Sequence, residues 1–303
     1  MQIKTVSLIG MGALGILFGR PLARALPKGD FRVIASPERI ARYTAGPILA
    51  NGEACDFAFI TPDAALPPAD LVLVAVKATA LQSAIRDMAG QVGPHTVILS
   101  LLNGISSEEE LAAVWPGQVV WAVALGMDAT RTGQTLVYKN MGSIQLGELN
   151  GEESERVRAV AALFEAAGIP HQVHPDIRFA QWRKLMVNVG LNQASAVYGV
   201  PYGGLQTPGP ARDTMIAAMR EVLALAPLEG VPLTEQLLTD WLAGLGDQAA
   251  DGMPSMLQDV LAKRPTEVEL FSGTVRRLAA RHGLATPVND RLYERIRAIE
   301  AGY

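Results

Sequence analysis

Thr5-Val6-Ser7-Leu8-Ile9-Gly10-Met11-Gly12-Ala13-Leu14-Gly15 runs from a β-branched apolar stretch straight into a GxGxxG loop, and from there into a helical pattern. With 29 glycines in the chain, the loop pattern alone would mean little. A strand before it and a helix after it are what give it meaning. Gly10 allows a tight turn, Gly12 lets backbone N–H groups approach a pyrophosphate, and Gly15 lets the helix pack closely on its strand. Met11, Ala13 and Leu14 complete a loop whose helix N-terminus faces an anion. The stretch reads as the opening of a dinucleotide-binding domain. Pro21 falls inside the helix expected over 13–26 and should kink or shorten it.

The same rhythm continues outward. Strand-like runs at 5–9, 31–35, 71–76, 96–101 and 119–125 alternate with helical periodicity at 13–26, 79–89 and 107–114. Leu71-Val72-Leu73-Val74-Ala75-Val76 is apolar throughout, as suits a strand buried on both faces. The layout is a doubly wound α/β sheet of Rossmann type. Residues 135–138 and 143–146 are expected to form a hairpin, and a helix at 152–167 with a strand at 170–173 to close the sheet. From about Asp176 only helical patterns remain, at 177–197, 210–228, 233–245, 256–263, 267–282 and 289–301. Ser255 with Gln258, and Thr266 with Glu269, have the spacing of capping boxes, and Gly283 stands where a helix would stop. The Gly/Pro-rich stretches 199–210 and 244–254 read as loops. The boundary is expected near His174–Pro175, giving a nucleotide-binding domain over 1–174 and an all-helical substrate and dimerisation domain over 175–303.

Composition narrows the function. A chain of 303 residues, 49% hydrophobic and 18% charged, can bury a sizeable core. A net charge of -4 and no basic cluster with interleaved aromatics argue against nucleic acid. Cys55 is the single cysteine, so no internal disulfide can form, and it reads as a small buried hydrophobe rather than a reactive thiol. There is no signal-peptide pattern and no stretch of roughly 20 apolar residues to span a membrane, so a cytoplasmic protein is expected. The four histidines have no metal-ligand spacing and no metal is expected. No GxSxG elbow or Cys/His pair points to nucleophilic hydrolysis.

Three positions carry the chemistry. The second strand ends at Ala35-Ser36-Pro37-Glu38-Arg39, where an NAD site usually has an acid for the ribose hydroxyls. Ser36 at the tip, with Arg39 and Arg42 on the helix that follows, suits a 2′-phosphate better and favours NADP(H), although both arginines would also serve as solvated helix residues. Lys77 and Asn103-Gly104 follow the 71–76 and 96–101 strands, at the sheet end where ligands bind, though Lys77 would also be an ordinary strand cap. In Trp182-Arg183-Lys184-Leu185-Met186-Val187-Asn188-Val189-Gly190-Leu191-Asn192, three polar residues recur at i, i+4 and i+8 on one face of an otherwise apolar helix. Buried without partners each would cost about 1–3 kcal/mol, so either that face is solvated or something polar lies opposite.

Taken with Pro254-Ser255-Met256-Leu257-Gln258-Asp259 and Thr266-Glu267, these motifs resemble the ketopantoate reductase (2-dehydropantoate 2-reductase) family over nearly the whole chain. Its most specific parts are the Lys-x3-Asn-x3-Asn helix and the Ser-Met-Leu-Gln-Asp to Thr-Glu stretch. The resemblance implies an NADPH-binding Rossmann domain, an all-α second domain, a substrate cleft between them, and reduction of 2-dehydropantoate to (R)-pantoate toward pantothenate and coenzyme A. By motif, Lys184 is implied as proton donor, with Asn188, Asn192 and Ser255 as substrate ligands. Asn103 is implied to touch both cofactor and substrate, Lys77 and Glu267 to lie on the cofactor side, and Ala129 to supply a backbone contact. Glu267 would equally suit the first turn of a helix as an acid favoured by the dipole. Two departures stand out: Ser36 replaces an arginine frequent in the family, and Tyr202 replaces a further substrate asparagine. Tyr202 leaves room for a different bulky 2-oxo or 3-oxo acid, and a non-catalytic NADP-binding sensor of the same fold is the reading from another class. The expected partner is a small 2-oxo acid, and the long apolar helices of the second domain allow a homodimer.

Overall fold

Val6–Ile9 (β1) is buried at all four positions and pairs in parallel with Phe31–Ile34 (β2) on one side and Leu71–Val74 (β6) on the other. A computed structural model describes residues 1–303. Between those strands lie Leu49–Ala50 (β3), Glu53–Ala54 (β4) and Ala58–Ile60 (β5); after them come Val97–Ser100 (β7), Val119–Leu125 (β8), Thr130–Thr132 (β9), Thr135–Val137 (β10), Ser143–Gly147 (β11) and His171–Val173 (β12). The main sheet has the order β12-β11-β8-β7-β6-β1-β2-β5. Its six strands from β5 to β8 are parallel, β11 runs antiparallel to β8, and β12 is parallel to β11. Chain order reverses between β1 and β6, and the carboxyl ends flanking that switch point are where open α/β sheets bind ligands.

The period-2 alternation divides each central strand between two cores. Val6, Leu8, Val33, Leu71, Leu73 and Leu99 share one cluster with residues of Ala13–Ala25 (α1) and Glu155–Ala166 (α5). Ile9, Ile34, Val72, Val74 and Ile98 share the other with residues of Leu81–Asp87 (α3) and Ser107–Val114 (α4), after Pro37–Thr44 (α2). Helices on both faces make the sheet doubly wound, as the unbroken apolar strands predict. α1 runs through Pro21 to Ala25, so the expected shortening does not occur.

The hairpin expected from 135–138 and 143–146 is a misreading of two sheets as one. β10 pairs with β9 around Gly133 and with β3, in a separate sheet of order β4-β3-β10-β9. β11 instead lies against β8, burying Ile144 and Leu146. The chain between them is turned by Asp128, whose Oδ1 accepts from the N–H groups of Lys139 and Asn140 at 2.8 Å each. β3 and β4 are joined by Asn51-Gly52, both at positive φ, as a two-residue hairpin turn demands.

The chain divides into two compact units, Met1–Ala180 and Gln181–Tyr303. The division falls within Ile177–Tyr198 (α6). The second unit is helical: Tyr202–Gln206 (α7), Pro210–Leu225 (α8), Glu235–Gly244 (α9), Ser255–Leu261 (α10), Thr274–Arg281 (α11) and Pro287–Ala301 (α12). α7 lies inside the stretch expected to be loop. A single helix over 267–282 is replaced by a π-helical segment, Glu269–Gly273, leading into α11. Gly283 ends α11 as expected: its N–H donates to Ala280 O and that of Leu284 to Ala279 O, a Schellman arrangement. A Cβ on Gly190 would come within 2.5 Å of Met219 Cγ, so α6 and α8 approach closely there. Buried Gln193 on α6 accepts from Ser272 N at 3.3 Å, and Ser272 Oγ donates to Asn289 Oδ1 at 2.9 Å. Asn289 Nδ2 in turn donates to Glu221 Oε2 at 2.7 Å. This chain of amides fixes the rotation of α6 against its neighbours.

Candidate active site

In the first unit the glycine loop is dictated by close approach. A Cβ on Gly10, at φ +104°, would lie 2.5 Å from the carbonyl of Ala75, and one on Gly15 would lie 1.9 Å from Gly10 O. Gly12 differs: the nearest atom to a Cβ there would be Ala75 O at 3.8 Å, and its backbone is extended, so the loop stays open on that side. Gly12 caps α1 without a side-chain hydrogen bond, and the first turn of α1 holds no acid. An open cradle at an uncapped N-terminus fits a dinucleotide pyrophosphate. Met11 is buried, while Ala13 and Leu14 pack against the core from the edge.

At the second-strand tip, Ser36 caps α2 by accepting from Arg39 N at 3.4 Å. The hydrogen bond from Ser36 and the backbone hold the exposed Glu38 carboxyl below its ordinary range. Arg39 and Arg42 are exposed on α2. Lys77 is exposed just past β6, at the start of a short 3-10 turn. Asn103 is half-buried beyond β7, followed by Gly104 at φ +89°. Ala129 is half-buried, directly before β9. One residue the sequence reading passed over is Arg131 on β9, which donates through Nη1 to the carbonyl of Met11 in the glycine loop.

In the second unit, α6 sets Lys184, Asn188 and Asn192 one turn apart, with Lys184 and Asn188 half-buried and Asn192 buried. Asn192 Nδ2 donates to Asn188 Oδ1 at 3.2 Å. Asn192 Oδ1 accepts from Ser255 Oγ at 3.1 Å and from Met256 N at 3.2 Å. This overturns the first expected capping box. Ser255 is the first residue of α10, the cap position is Pro254, and the hydroxyl turns to α6 while Gln258 donates to Met253 O. Proline has no side-chain acceptor to offer, so Asn192 caps α10 from 63 residues away. The second box fails similarly: Thr266 N and Oγ both donate to Glu300 Oε1 at 2.7 Å, and Glu269 accepts from Tyr293 instead. Glu267, half-buried, lies at the entry to the π-helical segment, its carbonyl accepting from Leu270 N at 2.9 Å. Tyr202 opens α7 and donates its N–H to Gly252 O at 2.9 Å; burial pushes its phenol pKa up, which keeps it neutral.

Two family descriptions match the chain: ketopantoate reductase PanE/ApbA over residues 6–151, and ketopantoate reductase PanE/ApbA C terminal over 176–300. A 2-dehydropantoate 2-reductase of Vibrio cholerae is 30% identical over 236 residues, which is 78% of this chain and 79% of that one. The crystal structure of a PanE/ApbA family ketopantoate reductase from Ralstonia eutropha has a TM-score of 0.86 at 27% identity, covering 98% of this chain and 99% of that one. A D-mandelate dehydrogenase solved with NADH and anilino(oxo)acetate shares the fold, with a TM-score of 0.87, 21% identity and coverage of 98% and 99%. Glycine loop, switch point and helical second unit define a Rossmann-type oxidoreductase. Within that class, the chain belongs to the ketopantoate reductase family.

Proposed function

We propose that this chain reduces 2-dehydropantoate to (R)-pantoate with NADPH, on the route to pantothenate and coenzyme A. In this reading residues 1–174 hold the cofactor and residues 175–303 supply the substrate groups and a homodimer face. The observation that carries it is the hydrogen-bonded set Asn188, Asn192 and Ser255, with Lys184 one turn earlier on the same helix. Gly10, Met11, Gly12, Ala13, Leu14 and Gly15 hold the pyrophosphate; Ser36 and Arg39 take the 2′-phosphate end; Lys77, Asn103, Ala129 and Glu267 take the rest. NADPH supplies the hydride when bound. As the ketone carbon becomes tetrahedral, negative charge builds on its oxygen. The Lys184 ammonium and the Asn103 amide stabilise that charge, and Lys184 Nζ gives up the proton that completes the alcohol. Ser255 and the two asparagines orient the carboxylate and hydroxyl of the substrate.

Tyr202 favours a second reading, a different bulky 2-oxo or 3-oxo acid. Its ring lies against the 249–252 segment that leads into Ser255, where an asparagine would leave more room. Steady-state NADPH oxidation across a panel of 2-oxo and 3-oxo acids decides between them. Highest kcat/KM on 2-dehydropantoate supports the first reading, and highest on another acid supports the second. Tight NADPH binding without turnover on any acid would reject both in favour of a sensor.

A further inference from the structure

Arg20, Arg24, Arg156, Arg220, Arg264, Arg276, Arg281 and Arg297 each pair with a carboxylate. Arg39, Arg42 and Arg131, beside the glycine loop and the second-strand tip, are among the arginines outside those pairs. Arg131 comes from the small sheet rather than the Rossmann strands, where Nε donates to Gly133 O at 2.9 Å and Nη1 to Met11 O. Those two bonds fix the guanidinium plane across the rim of the loop. Two residues of α2 act on it: burial and the Arg42 charge both lower its pKa, while Tyr43, through its charge and a side-chain hydrogen bond, works the other way. Arg42 lies over the Tyr43 ring at 5.4 Å. Gln134, on the same hairpin, sets its amide against the backbone of α2 and the residues after it, so β9 and α2 are held together. A half-buried guanidinium that shares its site with a like charge and has no carboxylate partner is arranged for an anion from outside the chain. Glu38, the nearby acid, is engaged with Ser36.

We infer that Arg131, together with Arg42, binds the 2′-phosphate of the adenosine ribose and sets the preference for NADP(H), in place of the strand-two arginine that Ser36 lacks. The inference rests on the nucleotide-binding half of the proposed function and not on the identity of the 2-oxo acid. With Nε committed to Gly133 O and one Nη1 N–H to Met11 O, the planar fork keeps its remaining N–H groups for phosphate oxygens. The Met11 bond also couples the loop that holds the pyrophosphate to the group that reads the 2′ position.

The test measures binding without turnover. Dissociation constants of wild type, Arg131→Gln and Arg131→Lys for NADPH and NADH come from fluorescence titration, and those for adenosine 2′,5′-bisphosphate and 5′-AMP from calorimetry. Loss of one charge-assisted fork predicts about 10- to 100-fold weaker NADPH and bisphosphate binding in Arg131→Gln, with NADH and 5′-AMP within about twofold. Arg131→Lys should fall between, because it keeps the charge and loses the fork. Equal losses for phosphorylated and unphosphorylated ligands would overturn the inference and leave Arg131 as a brace for the loop. So would unchanged binding. Failure on every 2-oxo acid would sink the proposed substrate while leaving this comparison readable.

Discussion

Replacing Asn192 by alanine tests whether one side chain on α6 both caps α10 and shapes the candidate substrate site. Asn192 Oδ1 takes the N–H of Met256, the second residue of α10, and the Ser255 hydroxyl, while its Nδ2 satisfies Asn188. Removing a capping acceptor costs about 1 kcal/mol, and a buried N–H left without a partner about 1–3 kcal/mol. The lost cap and the unpaired, buried Met256 N–H are one bond, so we expect a loss of about 1–3 kcal/mol, the exposed Ser255 hydroxyl being free to turn to water. Asn192→Asp keeps an acceptor for Met256 N but loses the donor to Asn188 and places a charge at a position only 5% exposed. It should cost as much as alanine at neutral pH and recover as the carboxyl is protonated. Urea unfolding followed by helix circular dichroism gives the stabilities, and NADPH titration checks that the first unit is intact. A loss below about 0.5 kcal/mol for Asn192→Ala would refute the capping argument, since that is the range of an ordinary surface substitution.

Lys184→Ala should lower kcat by about 10²- to 10⁴-fold with little change in NADPH affinity, and Lys184→Arg should rescue poorly because guanidinium does not release its proton near neutral pH; near-normal single-turnover hydride transfer would reduce Lys184 to a surface residue. Arg39→Ala should weaken NADPH and leave NADH almost unchanged in the same titration; an equal loss for both would exclude a phosphate role. For Glu148, burial pushes the carboxyl pKa up, but hydrogen bonds from Arg156 and Ser154 outweigh it and leave it below the ordinary range. A depressed folded pKa stabilises above the unfolded value and loses that stability as pH falls through the folded one, so Glu148→Gln should cost about 2 kcal/mol at pH 7, and that cost should shrink as pH falls below the ordinary carboxylate range, read by urea unfolding at each pH.

What the sequence made legible follows from which interactions are local. Gly10 and Gly15 announce themselves because strand, loop and helix are contiguous, and the contacts that demand glycine lie within the same βα unit or at the neighbouring strand exit. The apolar runs of β6 and β7 are legible for the same reason: burial on both faces leaves no polar alternation to misread. Lys184, Asn188 and Asn192 show as a face because helical spacing is enough to align them. The hairpin failed at the next level. Thr135–Val137 and Ser143–Gly147 are correct as strands, but nothing local says that one pairs with β3 and β9 and the other with β8. Asn51-Gly52 did carry a hairpin signal, and two-residue strands on either side were too short to make it visible as periodicity.

The capping boxes show the limit most clearly. Ser255 and Gln258 have the right spacing, but a box also requires the serine to stand outside the helix, and here the extended residue before the helix is Pro254, with ψ 152°, so Ser255 is already inside. Its hydroxyl then points across to α6 and joins a set that holds the first turn of α10 against the polar face of that helix. Arg131 follows the same logic at longer range. No motif marks it, because its meaning comes from a carbonyl 120 residues earlier and from a like charge on α2. In both places the residues that do chemistry in this reading are also the ones that satisfy backbone groups, Met256 N in one unit and Met11 O in the other. A substitution at either therefore removes a bond to the backbone as well as a group for the ligand, and the readout must tell the two losses apart. For Arg131, a loss confined to NADPH and the bisphosphate reports the anion site, and a loss shared by NADH and 5′-AMP reports the loop bond to Met11 O.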